Sequence, residues 1–288
     1  MRIIRIHGNF IFCITVPVMT PEQARTIVRR SRRVAFFTGA GISADSGIAT
    51  FRDNDGLWET YEPADFGSVQ GIAKIALFHP AKLANFLHDF LSPIVNARPN
   101  AGHFAIAELA TEKEVTVVTQ NVDGLHQRGG SANVLQLHGS IYQSRRLMST
   151  KTTLIELEEL QMILRRLGNL RSGGANAISI LRAFAPAAKI DLHGIWLPNL
   201  VLFGQRLPSE IWSKAVAAVE QCDCLVVVGT SLTVYPAALL VDVAKRSGRP
   251  VLRVDRTLEN PVLRIDRSLE NNDGVAGPAS TMLPIICT

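Results

Sequence analysis

Short apolar runs alternate with helical patterns along most of this chain, and this alternation constrains the fold more than any other feature. The apolar runs typical of buried strands lie at 34–38, 115–119, 134–137, 200–203 and 225–228. Helical patterns separate several of them, at 80–95, 102–111, 208–221 and 236–246. Strands that alternate with helices favour a parallel sheet with helices on both faces. The sequence therefore predicts an α/β fold with a doubly wound sheet.

The segment 146–197 breaks this alternation. Leucines recur there at helical spacing, at 154, 157, 160, 164 and 167. Gly168 is expected to end that helix. We interpret 146–197 as a small, partly helical inserted module, and 20–145 together with 198–288 as the main domain.

The main domain is expected to begin with a helix at Thr20. Thr20 can cap the helix, Pro21 suits its first turn and Gln23 can complete a capping box. Residues 1–19 form an extension of uncertain role, and Met19 is a second possible start.

A tandem repeat lies near the end of the chain. Residues 250–260 and 261–271 differ at only two positions, both conservatively. Because a solenoid needs at least three repeats, a local duplication of one strand and its turn is the simpler interpretation. The sequence leaves open which copy joins the sheet.

Composition narrows the class of protein. Hydrophobic residues make up 47% of the 288 residues, and the net charge of +5 does not require a nucleic-acid partner. The four cysteines form no C-x-x-C pair, which favours a reducing compartment. No apolar run reaches the roughly 18 residues of a membrane span. We expect a cytoplasmic protein, with a nuclear or organellar location as the alternative.

A glycine-rich turn follows the first predicted strand. Its residues are Gly39, Ala40, Gly41, Ile42, Ser43 and Ala44. Glycines let a backbone approach a pyrophosphate, and a helix N-terminus offers it free N–H groups. The acidic residue that usually follows about 20 positions later is not evident, so an ordinary dehydrogenase site fits poorly.

Five ordered motifs make the assignment more specific. They are T-G-A-G-I-S-A-D-S-G-I-A-T-F-R-D at 38–53, T-Q-N-V-D-G-L-H at 119–126, L-H-G at 137–139, L-V-L-F-G-Q-R-L-P at 200–208 and G-T-S-L-T-V-Y-P at 229–236. Together they resemble the sirtuin family of NAD-dependent protein deacylases. The resemblance covers roughly 20–145 and 198–255, and it implies a Rossmann-like sheet with a small inserted module, NAD as cofactor and acyl-lysine proteins or peptides as substrates.

The resemblance also implies the catalytic residues. Loss of nicotinamide from NAD makes a sugar carbon positive, and the acyl-lysine carbonyl oxygen would attack that carbon. His138 would then act as general base on a ribose hydroxyl, a role that imidazole suits at neutral pH. Asn121 and Gln120 would contact the ribose, and Asp123 would hold the carboxamide. His126 also matches its motif, and we assign it a structural role.

Further residues of the motifs are expected around the cofactor. The glycine-rich turn would approach the pyrophosphate, Phe51 would shield the reactive sugar and Arg52 would face phosphate. Gly229, Thr230 and Ser231 would meet the adenosine side. Asp255, or Asp266 in the second copy, stands where an Asn often contacts the adenosine ribose, and a carboxylate can accept from those hydroxyls.

The expected peptide site lies at 200–208. A substrate would enter as an extended strand near Val201, Phe203 and Gly204. The loop at 51–58 resembles the branch that includes desuccinylases, which bind an acidic acyl group with Tyr-x-x-Arg. The alignment places Leu87 and Phe90 at those positions, so an acyl carboxylate would have no partner. We therefore expect acetyl or longer aliphatic acyl groups.

The chain departs from the family at its zinc site. Family members usually hold zinc with two C-x-x-C pairs, whereas the corresponding positions here are Arg146, Ser149 and approximately Lys189 and Leu192. Without thiolates a tetrahedral cysteine site cannot form, so we expect no metal. Apolar burial of the leucine-rich segment is the predicted replacement. We interpret Cys222 and Cys224 as core residues.

Three classes of function fit these observations. The favoured one is NAD-dependent removal of acyl groups from lysine. In ADP-ribosyl transfer or NAD hydrolysis, a different nucleophile would capture the same activated ribose. A non-catalytic NAD-binding protein is the third, and the presence of His138, Asn121 and Asp123 argues against it.

Overall fold

A computed structural model describes residues 3–6, 9–12, 19–49, 56–147, 149, 151–171, 174–187, 190–191, 194–256 and 274–288, with the backbone alone at 3–6, 9–12, 190–191 and 194–196. The strands are β1 Ile3–Ile6, β2 Asn9–Phe12, β3 Arg33–Thr38, β4 Glu114–Thr119, β5 Val134–Gln136, β6 Gly139–Arg146, β7 Thr152–Leu154, β8 Ile190–Asp191, β9 Gly194–Leu200, β10 Cys224–Val228, β11 Val251–Asp255 and β12 Gly274–Ala276. The helices are α1 Pro21–Arg30, α2 Leu57–Thr60, α3 Pro63–Phe66, α4 Val69–Phe78, α5 Pro80–Asn96, α6 Ala101–Leu109, α7 Leu125–Arg128, α8 Leu157–Arg171, α9 Ala177–Ala183, α10 Ser209–Gln221, α11 Leu239–Arg246 and α12 Ala279–Cys287.

The main sheet has six strands in the order β5-β4-β3-β10-β11-β12. Every neighbouring pair is parallel, which confirms the predicted sheet. From β3 the chain adds β4 and β5 on one side, and later β10, β11 and β12 on the other. The strand order therefore reverses between β3 and β10, and ligands of such sheets bind beyond the carboxyl ends of the strands at this point.

Helices cover both faces of this sheet, as predicted. Side chains alternate along a strand, so Phe36 and Phe37 of β3 face opposite sides, and both are fully buried. Phe36 lies in a cluster with side chains of α1, α6 and α12, and Phe37 in a cluster with side chains of α10 and α11. Cys222 and Cys224 are buried in these clusters, which agrees with their predicted core role.

The first helix of the main domain begins where the sequence predicts. The Thr20 hydroxyl accepts from the Gln23 N–H at 3.3 Å, and the Gln23 side chain accepts from the Thr20 N–H at 2.8 Å. This reciprocal capping box satisfies two N–H groups that the first helical turn leaves without partners.

A second, antiparallel sheet has the order β7-β6-β9-β8. Ile141 of its strand β6 is buried in one cluster with side chains of α5, α8 and α9. Leu160, Ile163 and Leu167 of α8 are buried against Leu91 and Ile94 of α5. Burial of a large aliphatic side chain contributes about 2 kcal/mol. An apolar cluster thus stabilises this part of the molecule, as expected of the leucine-rich segment.

Two details of that segment were predicted wrongly. Leu154 lies in β7 and is 67% exposed. Gly168 does not end the helix, because α8 continues to Arg171. The guanidinium of Arg171 donates to a carboxylate oxygen of Asp89 on α5 at 2.8 Å, and this contact holds the last turn of α8 in place. The helix α9 was not predicted.

The predicted strand at 200–203 is also wrong. The strand β9 ends at Leu200 and pairs with β6 in the second sheet. The following residues form a turn, in which Gln205 N–H donates to Leu202 C=O at 3.0 Å and the Gln205 side chain accepts from Leu202 N–H at 2.9 Å. The predicted helix at 236–246 begins later, at Leu239, because hydrogen-bonded turns occupy the preceding residues.

The first copy of the tandem repeat supplies β11, which lies between β10 and β12. The second copy, 261–271, lies outside the described residues. Across the described part of the chain, no helix is long and apolar enough to cross a membrane.

Candidate functional site

The glycine-rich turn packs tightly against the end of β10. A Cβ on Gly39 would lie 2.7 Å from Thr230 Cβ, and one on Gly41 would lie 2.6 Å from Gly229 Cα. Both contacts are shorter than real Cβ atoms show, so these positions require glycine. The close approach that the glycines permit is therefore to the neighbouring turn of the protein itself.

The turn does not offer the row of free N–H groups that a helix N-terminus would. Two single turns of 3₁₀ helix, Ala40–Ile42 and Ala44–Ser46, replace the expected helix. The N–H groups of Gly39, Gly41, Ile42 and Ser43 all donate to backbone carbonyls. Gly39 and Gly41 donate to carbonyls at the end of β10, whereas Ile42 and Ser43 donate within the turn itself. The approach of a pyrophosphate to this turn stays a prediction.

Side-chain amides connect the ends of three strands. Gln120 follows β4, and its Nε2 donates to the Thr230 hydroxyl beyond β10 at 2.7 Å. The Nδ2 of Asn121 donates to Gly39 C=O and to the Ser43 hydroxyl, both at 3.1 Å. These bonds place Gln120 and Asn121 at the switch point between β3 and β10.

Asp123 is a buried carboxyl group beside these amides. Its Oδ2 accepts from the Ser43 hydroxyl at 2.7 Å, and its Oδ1 accepts from Leu125 N–H at 2.9 Å. Burial raises the pKa of Asp123 because it disfavours the charged form, and these two hydrogen bonds oppose the shift. The result is a fixed, desolvated acceptor next to Asn121.

His138 lies between β5 and β6 with its ring partly buried. Its Nδ1 is 2.9 Å from Gln120 C=O, and a carbonyl only accepts, so Nδ1 carries the proton and Nε2 is the basic nitrogen. Burial lowers the pKa of His138, and the Gln120 hydrogen bond opposes this shift. Gly139 has φ +78°, and a Cβ there would lie 1.9 Å from Asn199 C=O, so glycine is required for the chain to leave His138 in this direction.

On the other side of the switch point, Ser231 and Thr233 hydroxyls lie 2.8 Å apart. Asp255 ends β11, where its carboxylate accepts from the buried guanidinium of Arg253 at 3.0 Å. Phe51 and Arg52 lie outside the described residues, so their roles stay predictions.

Several backbone donors of the expected peptide site are already in use. Phe203 N–H donates to Gly67 C=O at 2.7 Å, and Phe203 forms a parallel bridge with Ser68. Val201 N–H donates to His138 C=O at 3.0 Å, which ties this turn to the histidine. At Gly204 a Cβ would meet nothing within 4 Å, so the backbone there is open.

The two residues expected at the acyl group lie on α5 and face apolar neighbours. Leu87 packs against two hydrophobic clusters, one shared with α8 and one built from aromatic rings. Phe90 stacks on Phe86 with ring centroids 6.1 Å apart. The surroundings of both side chains are therefore apolar, as the sequence predicts.

Sequence comparison with known proteins identifies the family to which this chain belongs. Residues 39–236 match the sequence profile of the Sir2 family. The chain belongs to the Sir2 family, the sirtuins. It is 38% identical to the NAD-dependent protein deacylase 2 of Pyrobaculum aerophilum over 232 residues, which cover 80% of this chain and 82% of that protein. It is also 38% identical to an NAD-dependent protein deacylase of Mycolicibacterium paratuberculosis, over 77% of this chain and 85% of the relative.

Solved structures of Sir2 proteins share the fold. A Sir2 homologue in complex with NAD superposes with a TM-score of 0.69 at 30% identity, covering 93% of each chain. A mutant Sir2 homologue in complex with ADP-ribose gives a TM-score of 0.71 at 30% identity, covering 93% of this chain and 95% of the other. The Rossmann-like fold of this Sir2 chain is thereby confirmed.

One residue of the Sir2 site was missed by the sequence analysis. Asn100 caps α6, and its Nδ2 donates to Ile42 C=O at 2.8 Å and to the Ser46 hydroxyl at 3.0 Å. It therefore anchors the glycine-rich turn to α6. The N-cap preference of Asn ahead of a helical pattern was the available signal, but the contact with the distant turn could not be inferred from it.

Proposed function

We propose that this Sir2-family chain is an NAD-dependent protein-lysine deacylase that releases nicotinamide and O-acyl-ADP-ribose. The observation that carries the proposal is the grouping of His138, which follows β5 and bonds to Gln120 C=O, with Asn121 and Asp123, which follow β4. Relatives named as protein deacylases, 38% identical over most of their length, support it.

The polar groups at the switch point suit NAD. Amides of Gln120 and Asn121, hydroxyls of Ser43 and Thr230, and the buried Asp123 carboxyl match the hydroxyls and carboxamide of a nucleotide in donor and acceptor type. When bound, NAD supplies a ribose carbon that becomes electrophilic as nicotinamide leaves. The desolvated Asp123 acceptor would hold the carboxamide NH₂, and Asn121 would orient the ribose.

His138 would serve as the general base. The Gln120 carbonyl fixes its proton on Nδ1, which leaves the Nε2 lone pair free to accept a proton from a ribose hydroxyl. Burial lowers the pKa of His138, so the neutral, basic form predominates at physiological pH.

The remaining residues would bind the ends of the ligands. Gly229, Thr230, Ser231 and Asp255 would meet the adenosine half of NAD, and the packed turn Gly39–Ala44 would meet the pyrophosphate through side chains and the few remaining donors. The substrate would lie extended along Gly204, where the backbone is open. Phe203 would contact it through its half-exposed ring, since its N–H is occupied by Gly67.

One assay tests the proposal against its enzyme alternatives. Acetyl-lysine and long-acyl-lysine peptides are incubated with NAD, and the products are identified by mass spectrometry. Deacylation predicts O-acyl-ADP-ribose in amounts equal to the deacylated peptide. Free ADP-ribose with intact acyl-peptide would instead establish NAD hydrolysis, and ADP-ribose attached to protein would establish ADP-ribosyl transfer.

A further inference from the structure

Two buried threonines lie side by side beneath the candidate site. Thr38 ends β3 and Thr119 ends β4, in register as parallel partners. The Thr38 hydroxyl donates to the Thr119 hydroxyl at 2.8 Å, and the Thr119 hydroxyl also accepts from Asn121 N–H at 3.0 Å. Both side chains are almost fully buried, where a valine would fill the same volume without a hydroxyl to satisfy.

His126 extends this chain of hydrogen bonds through its contact with Thr38. Its Nε2 lies 3.0 Å from Thr38 Oγ1. Since the Thr38 proton is directed to Thr119, the oxygen accepts from His126, so the histidine is the neutral Nε2–H tautomer. Its Nδ1 is buried and has no hydrogen-bond partner among the described residues.

The backbone around His126 is fixed to the site as well. It belongs to α7, whose first N–H, of Leu125, donates to Asp123 Oδ1 at 2.9 Å. Its own carbonyl accepts from Ser131 N–H at 2.9 Å. The ring also meets the buried His103 ring edge-on, with centroids 5.0 Å apart. His126 is thus held rigidly at one end of a line that ends at the Asn121 backbone.

We infer that His126 is a positioning residue of the NAD site, acting on Asn121 through Thr38 and Thr119. The inference rests on the proposed function and goes beyond the structural role assigned from the sequence. The hydrogen bonds from His126 through Thr38 and Thr119, which we call the relay, fix the position of the Asn121 backbone beyond the end of β4. The Asn121 side chain bonds separately to Gly39 and Ser43. Losing the donor at His126 frees the Thr38 hydroxyl to turn away from Thr119.

The test compares His126→Leu, His126→Gln and Thr38→Val. The amide of Gln can donate where Nε2 donates, whereas Leu cannot. We expect His126→Leu and Thr38→Val each to lower kcat/KM for NAD about tenfold, with KM for the acyl-peptide within twofold of wild type. His126→Gln should recover most of the loss. Since Thr38→Val keeps the side-chain volume, it carries the test if His126→Leu does not fold.

A double variant and a matched control separate positioning from packing. If His126 and Thr38 act on Asn121 through the same chain of hydrogen bonds, the double variant Thr38→Val with His126→Leu should have a kcat/KM no lower than that of either single variant. Thr116→Val changes another threonine of β4, whose hydroxyl accepts from the Asn133 side chain and lies outside the relay. It should leave kcat/KM per folded molecule within twofold of wild type.

Three results would overturn the inference: additive losses in the double variant, no recovery with His126→Gln, or near-normal kcat/KM in His126→Leu. A wild-type protein without turnover would count against the proposed function alone. In that case the affinity of the same variants for NAD, measured by calorimetry, would test the relay. Equal affinity in all of them, or no NAD binding by the wild type, would refute it.

Discussion

At the scale of single residues, the hydrogen bond from His138 to Gln120 decides which nitrogen can act as a base. The same strand end supplies the amide of Gln120 and the carbonyl that holds the imidazole. This detail depends on the pairing of β4 with β5. The motifs alone do not show that these two strands are neighbours in the sheet. The sequence identified the residues, whereas the structure supplies the tautomer.

The pKa of His138 leads to a prediction on pH dependence. Burial lowers this pKa below its usual 6.5, so the neutral base persists as the pH falls to that value. Activity should be lost only as the pH passes through the lowered pKa. We expect the acid limb of kcat/KM for an acyl-peptide to have its midpoint below pH 6.5. A midpoint at or above 6.5, at fixed ionic strength, would mean that the base is solvated or is another group.

The apolar surroundings of Leu87 and Phe90 lead to a prediction on acyl choice. A succinyl carboxylate buried there without a partner would cost several kcal/mol, whereas each buried methylene of an aliphatic acyl group contributes up to about 0.8 kcal/mol. We expect acetyl- or fatty-acyl-lysine to be preferred over succinyl-lysine by about tenfold in kcat/KM, or ~1.4 kcal/mol.

Competition between acetyl-, myristoyl- and succinyl-peptides measures this preference. The double variant Leu87→Tyr with Phe90→Arg is the matched control, because it introduces the Tyr-x-x-Arg pair of the desuccinylases. It should shift the ratio of kcat/KM values towards the succinyl-peptide. A wild-type preference for succinyl would refute the assignment of these two residues to the acyl group, but would leave the NAD chemistry intact.

At the scale of elements, α8 shows how a helix can extend past a residue that favours its end. Gly168 is a usual stop signal, but the helix continues because α8 packs along α5 and Arg171 reaches Asp89. Such tertiary contacts outweigh local propensity, and they could not be inferred from the leucine spacing. The same holds for the turn after β9, which depends on Gly67, over 130 residues earlier in the chain.

Gly168 inside α8 yields a prediction on stability. A Cβ there would meet only the His88 ring, at an ordinary 3.8 Å. Gly168→Ala should therefore raise the free energy of unfolding by about 0.5–1 kcal/mol, through the lower backbone entropy of the unfolded chain. Urea unfolding measures the change. The same substitution at Gly102 of α6, where a Cβ would lie 3.0 Å from Ala279 C=O, should bring no such gain. A less stable Gly168→Ala protein would mean that α8 ends earlier.

At the scale of the whole molecule, the sequence predicted the parallel sheet, its helical layers and the cluster of polar residues at the strand ends. These follow from local periodicity and from motifs at strand termini. It did not predict that Gly41 N–H donates to Gly229 C=O, or that Phe203 N–H donates to Gly67 C=O. Both are contacts between distant segments, which no local pattern encodes. The division into 20–145, 198–288 and the insert 146–197 stays a prediction.

The apolar cluster between α5 and α8 leads to a prediction on metal content. Among the described residues, no group of three His, Cys, Asp or Glu side chains is placed to hold a metal ion. We expect the purified protein to contain less than about 0.1 zinc per chain and to keep its melting temperature in a chelator. About one zinc per chain by elemental analysis, in protein never exposed to added zinc, would show that the insert binds metal after all.

The most direct test of the account is His138→Ala, measured for both NAD binding and turnover. Because the base acts only after NAD is bound, the variant should bind NAD by calorimetry with an affinity close to that of the wild type. It should form no detectable O-acyl-ADP-ribose from an acetyl-lysine peptide. Thr116→Val, made in parallel, changes a threonine outside the site and should keep the turnover of the wild type, so it serves as the control for inactivation during purification. Near-normal deacylation by His138→Ala would contradict the central claim that His138 is the catalytic base.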